Sequence, residues 1–276
     1  MSANLKLQKI NEWDGLRGFK NLFSKENGAW WGTRRWWINA LLWTVLLSGL
    51  TAIMLFSPGA EANQATEAEI SQAGGSIAFI LSLGLSVFFE FGGPMLAIGT
   101  VILSQDLIIA EKQSGLTEWL LSKPVTRRAY VLAKAAANGP ALLILLVGLS
   151  SSVVYGLLSL RLGSPFPLLP FLFAVEILSV HTLFYLTLTL MLGTIFNNRA
   201  PILGIALGSI LGGSILGGFI TPLFYITPWM LPKTAWLLTT NQAISLDMGI
   251  SSLVASMMLS IIFLVVALVR FEKMEF

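Results

Sequence analysis

Three ionisable side chains sit inside long apolar stretches of this 276-residue chain: Glu90, Glu176 and His181. A carboxylate in hydrocarbon is expensive, so each should face a bundle interior, a cavity or a neighbouring protomer. There it could meet a substrate on its path, relay protons, or serve only as a structural hydrogen-bond partner. Glu176 and His181 are five residues apart, roughly 140° around an ideal helix, and so form no ready-made catalytic pair. Glu90 is followed by Gly92-Gly93-Pro94, which should loosen or kink its helix. Acids so placed leave open an ion-coupled carrier or a polytopic membrane enzyme working through Glu90 and Glu176. Other chemistry is sparse. The absence of cysteine excludes thiolate catalysis and disulfides, and a single histidine leaves no His-rich metal cluster. No G-x-x-x-x-G-K-[ST], H-E-x-x-H or G-x-S-x-G occurs. No catalytic residue, metal or cofactor is therefore expected on this chain.

The elements that must carry these residues follow from composition. With 55% hydrophobic and 11% charged residues, the charges gathered in a few places, the chain reads as an all-α polytopic membrane protein. Residues 1–34 are too polar to span. Ile10, Trp13, Leu16, Phe19, Leu22 and Phe23 recur at helical spacing, which predicts an amphipathic helix lying in the membrane interface. Residues 35–276 form the transmembrane domain, with six spans expected near 36–56, 76–103, 136–160, 168–195, 201–220 and 248–269. Residues 58–75 form a polar loop. Gly204, Gly208 and Gly212 give the fifth span a small-residue stripe, suited to packing within one subunit or to a dimer face. Residues 222–247 are apolar and aromatic but broken by Pro222, Pro228 and Pro232, as expected of short helical pieces in the outer interface. With both termini placed inside, 15 of the 17 Lys and Arg residues fall on the inner side and only Arg161 and Lys233 outside. This asymmetry predicts a multi-pass protein of the cell inner (plasma) membrane with cytoplasmic termini. It also accounts for the basic pI without nucleic acid.

The most distinctive stretch lies outside the membrane. Residues 104–134 are charged on both sides of a small apolar knot, Trp119-Leu120-Leu121. Gly115 can break the incoming helix, Leu116 to Ser122 can form about two turns, and Pro124 should stop helix at Lys123. The result is a charged hairpin presenting a short helix with an apolar tip, unless it is only a solvated loop on lipid headgroups.

Glu111-Lys112, Gly115, Glu118, Leu120-Leu121-Ser122, Pro124-Val125, Arg127, Tyr130 and Lys134 resemble the loop after the second span of exporter-type ATP-binding-cassette (ABC) permeases of the type-2 family. The chain departs from that pattern in the Leu116-Thr117 order, at Thr126, and at Ala133 before Lys134. The resemblance implies that the short helix is a coupling helix docking on a separate ABC ATPase, which would bind the ATP and Mg. The docking residues would be Glu111, Ser114, Gly115, Leu116, Thr117, Glu118, Trp119, Leu120, Leu121, Ser122, Lys123, Pro124 and Arg127, with a minor contact from Asn197, Asn198 and Arg199. It further implies a second permease subunit, expected as a homodimer in a 2+2 complex, export as the direction, and Glu90, Glu176 and His181 as translocation-path candidates.

Overall fold

Helix length set against bilayer thickness decides the architecture. The computed structural model describes residues 15–57, 66–216, 219–240 and 246–274. The expected stripe residues Ile10 and Trp13, part of the 58–75 loop, positions 217–218 of the fifth expected span and 241–245 of the broken segment lie outside the described residues. Five helices are long and apolar enough to cross a membrane: α2 (Arg35–Phe56), α4 (Ser76–Gln113), α6 (Arg127–Leu162), α7 (Leu168–Ile195) and α11 (Leu246–Glu272). A further apolar helix, α8 (Arg199–Leu216), has 18 residues, about 27 Å against a hydrocarbon core of about 30 Å. The shorter elements are α1 (Phe19–Trp31), α3 (Glu67–Ala73), α5 (Leu116–Leu121), α9 (Leu223–Ile226) and α10 (Leu231–Thr239). No strand occurs among the described residues.

α4 and α6 are far longer than a bilayer requires, at 38 and 36 residues. Each measures about 55 Å, so the pair projects well beyond one end of the bundle and carries α5 at its tip. The helices therefore run beyond the expected spans: the one that carries the second continues past 103 to Gln113, and the one that carries the third begins at Arg127. Polar residues such as Lys134 and Asn138 do not end the helix, because they are buried against α1.

Both long helices change register within the membrane. In α4 the residues Val87–Phe91 form a π turn, with the Gly92 N–H reaching back five residues to the Val87 carbonyl. It precedes Pro94, whose missing N–H leaves the Glu90 carbonyl without its ordinary partner. A second π turn, Leu143–Gly148, follows Pro140 in α6.

α7 is the central helix: 61% of its apolar window is buried within the chain, against 17% for α11. Because lipid tails are as apolar as leucine, such helices associate by close packing and interhelical hydrogen bonds. Gly93 shows the closeness required. A Cβ there would lie 2.6 Å from Pro232 Cγ, so only glycine lets α10 rest on α4. Across α4 and α7, the Ser104 and Thr189 hydroxyls meet at 2.7 Å, and Gly193 lies against the Ile108 side chain. Two prolines of the broken segment, Pro228 and Pro232, are buried, and α10 packs against α7.

Candidate functional site

The projecting end is assembled by side chains far apart in sequence. α1 runs parallel to the start of α6, and two contacts fix their register. Lys134 Nζ lies 2.8 Å from Glu26 Oε1, and Trp30 Nε1 donates to Asn138 Oδ1 at 2.7 Å. Both pairs are separated by 108 residues, so the two faces advance together by four. The face of α1 that packs is Leu22, Glu26 and Trp30. That period of four differs from the apolar stripe expected from sequence, and Leu16 of that stripe is exposed.

Glu111, at the end of α4, joins the same cluster. Its Oε1 accepts from Lys25 and lies 3.1 Å from Lys134 Nζ, while its Oε2 accepts from the Tyr130 hydroxyl. Two lysines and two glutamates therefore balance in a site where the Lys134 side chain is 3% exposed. Tyr130 in turn stacks on Phe271 of α11 at 4.7 Å and 5°. The backbone closes the arrangement. Thr126 N–H donates to Arg17 O, and its hydroxyl donates to Gly15 O, both at 3.0 Å. Arg127 donates to the Glu272 and Met274 carbonyls, and Arg128 pairs with the Glu272 carboxylate.

The other flank of the hairpin is tied to α7. Lys112 Nζ donates to the Gly193 and Phe196 carbonyls, both at 3.1 Å, capping the helix end with positive charge. Gln113 Nε2 donates to Asn197 O at 3.1 Å, and Arg199 pairs with Asp106 at 2.7 Å. The structure thus brings the Asn197-Asn198-Arg199 turn beside the hairpin base.

α5 itself begins at Gly115, whose φ of +70° is the left-handed region that frees the helix direction. Thr117 and Leu120 are buried, while Glu118, Trp119, Ser122, Lys123 and Pro124 are exposed. The Lys123 ammonium sits 3.5 Å over the Trp119 ring. The apolar tip is accordingly Trp119 and not the whole Trp-Leu-Leu knot. Leu120 turns inward to the core, because on a two-turn helix one face must rest on the hairpin. The side chain of Leu121 lies outside the described residues.

The three intramembrane candidates are not gathered at one place. Glu90 and His181 line a cavity of about 320 Å³ together with Tyr185, Trp229 and Lys233. Glu90 accepts from the Ser86 hydroxyl, one turn earlier on its own helix, at 3.1 Å. His181 is buried, with Nδ1 3.2 Å from the Pro228 carbonyl. A carbonyl only accepts, so Nδ1 carries the hydrogen. Glu176 is separate, exposed on the outer face of α7 beside Leu172 and Phe173. The glycine stripe divides as well. Gly204 and Gly208 have open space where a Cβ would stand, whereas Gly212 and Gly213 lie against the Trp229 ring. Among the described residues no group of three His, Asp or Glu side chains is placed to hold a metal.

Sequence reading missed Lys25, Glu26 and Lys134 as a unit, as well as the Lys112 cap. The available signal was polar spacing: Glu26 and Trp30 on one helix, and Tyr130, Lys134 and Asn138 on another, each four apart.

An apolar bundle with a projecting charged hairpin defines an integral membrane protein, and comparison places it in a family. The model of the ABC-2 family transporter proteins matches residues 21–276. The chain belongs to that family and is an integral-membrane ABC permease, a class that works with an ABC ATPase. No curated protein matches it.

Proposed function

We propose that this permease couples ATP hydrolysis on a separate ATPase to transport across the cell inner membrane, in the direction of export. α5 is the coupling helix, and ATP and Mg are bound by the partner. The observation that carries this reading is the contrast within the hairpin. Its base is locked by the Lys25–Glu26–Glu111–Lys134 cluster, while Glu118, Trp119, Ser122 and Lys123 are exposed at the tip. A rigid lever with a free, chemically distinctive end suits the transmission of force. Asn197, Asn198 and Arg199, held beside it, form the minor contact. α8 is the sixth span, both termini are cytoplasmic, α1 lies at the cytoplasmic interface, and α9 and α10 sit at the outer one. A second copy completes a 2+2 complex, with the open Gly204 and Gly208 face or the outward Glu176 available to it. Glu90 and His181 lie on the translocation path. The alternative of a carrier or enzyme using Glu90 with Glu176 is disfavoured by their separation.

The test is co-purification from native membranes in mild detergent. Wild type should retain an ATPase bearing a phosphate-binding loop, and Glu118→Lys/Trp119→Ala should lose it while inserting and folding normally. Equal retention by both proteins would remove α5 as the docking element.

A further inference from the structure

The cavity between α4, α7, α8 and the start of α10 carries more information than a path alone requires. It holds one carboxylate and one ammonium, Glu90 and Lys233, and neither forms an ion pair among the described residues. Among the described residues, the Ser86 hydroxyl is the one hydrogen-bond donor to Glu90. Leaving a carboxylate so poorly served at an apolar wall is costly, unless a cation arrives to meet it. The rings of Tyr185 and Trp229 line the same space, and Pro94, Ile98 and Ile210 offer apolar surface. Lys233 is exposed at the rim and marks where an anionic group would sit. The volume, about 320 Å³, is at the lower end of the ~300–1,000 Å³ usual for ligand pockets, enough for a head group and the first part of a chain.

We propose that this cavity binds a zwitterionic head group, with its ammonium on Glu90 and its anionic group on Lys233. That the ligand is also cargo rests on the transport reading above, but its binding does not. An isolated cation would be repelled by Lys233, and an isolated anion by Glu90. Two opposite charges held apart select a dipolar head. The same chemistry could come from a lipid in the bilayer or from a free zwitterion in solution.

The experiment is equilibrium binding to the purified full-length chain in phosphatidylglycerol nanodiscs, with no nucleotide and no ATPase. The probes are lysophosphatidylethanolamine, free phosphoethanolamine and dodecyltrimethylammonium. Lysophosphatidylethanolamine should bind saturably, and Glu90→Gln should weaken it at least about tenfold, as expected for loss of a charge-assisted contact. Lys233→Gln, at an exposed position that folding does not need, should weaken lysophosphatidylethanolamine but not dodecyltrimethylammonium. Binding of the lysolipid but not of phosphoethanolamine assigns the source to the bilayer, and equal binding of the two assigns it to solution. The proposal is overturned if wild type prefers dodecyltrimethylammonium, or if both substitutions leave lysolipid binding unchanged in normally folded protein. Because no ATPase is present, either result leaves the docking role of α5 to be judged separately.

Discussion

Replacing Lys134 with methionine probes the charged end most directly. The substitution keeps the length of the side chain, and with it the packing, while removing the ammonium. Lys134 Nζ contacts Glu26 at 2.8 Å and Glu111 at 3.1 Å. At an effective dielectric constant near 20, each contact is worth roughly 5 kcal/mol of attraction, most of which offsets desolvation of the charges. Its loss leaves two carboxylates facing one another with only Lys25, whose side chain is 42% exposed. The expected cost is about 3–5 kcal/mol, the range for breaking a buried pair from one side. The assay is unfolding in mixed micelles, followed through the tryptophans. Lys134→Met/Glu26→Gln/Glu111→Gln, which removes charge on both sides, should recover most of the loss. A single variant within about 0.5 kcal/mol of wild type, the range for surface positions, would refute the argument that this cluster locks the hairpin base.

Trp119→Ala, at an exposed tip, should change stability by less than about 0.5 kcal/mol, whereas Leu120→Ala, turned into the core, should cost about 2–4 kcal/mol in the same assay. Gly115→Ala should cost about 1–2 kcal/mol, because φ is +70° with open space around the position. Gly115→Asn should be milder, and equal stability of Ala and Gly would contradict the left-handed conformation. Lys112→Met should release the last carbonyls of α7, seen as faster amide exchange near Asn197 and Asn198 by hydrogen-exchange mass spectrometry. At the opposite end, Thr66 backbone N–H and hydroxyl hydrogen bonds hold the Glu69 carboxyl below its usual range. That contribution to α3 should be present above the ordinary carboxylate range and fade as pH falls through the lowered value. The protection of α3 amides, measured against the exchange rate of an unstructured peptide at each pH, should fall in acid, and a flat protection profile would discount the capping box.

Much of this arrangement is local and so was legible in the sequence. Gly115 and Pro124 bracket α5, the Asn197-Asn198-Arg199 turn separates α7 from α8, and Gly92-Gly93-Pro94 marks the place where α4 leaves regular register. The long-range terms were not legible. Lys134 read as the end of the charged hairpin and Asn138 as part of a span, because nothing nearby in sequence shows that Glu26 and Trp30 will cover them. Leu120 read as part of an exposed tip because hydrophobicity cannot say which side of a two-turn helix rests on its support. Glu90 and His181 share a cavity only because Gly93 admits Pro232 and brings the broken segment against α4 and α7, a contact spanning well over a hundred residues.

The Lys112 cap has a mechanical consequence. Together with the Ser104–Thr189 contact and the close fit of Gly193 on Ile108, it fastens the projecting end of α4 to the end of α7. On the coupling role proposed above for α5, a thrust received there would pass into both helices at once through this joint. The opposite wall of the cavity is joined differently: Trp229 leans on Gly212 and Gly213 of α8 and donates to Ser209 O, so α8 and the broken segment meet through one ring.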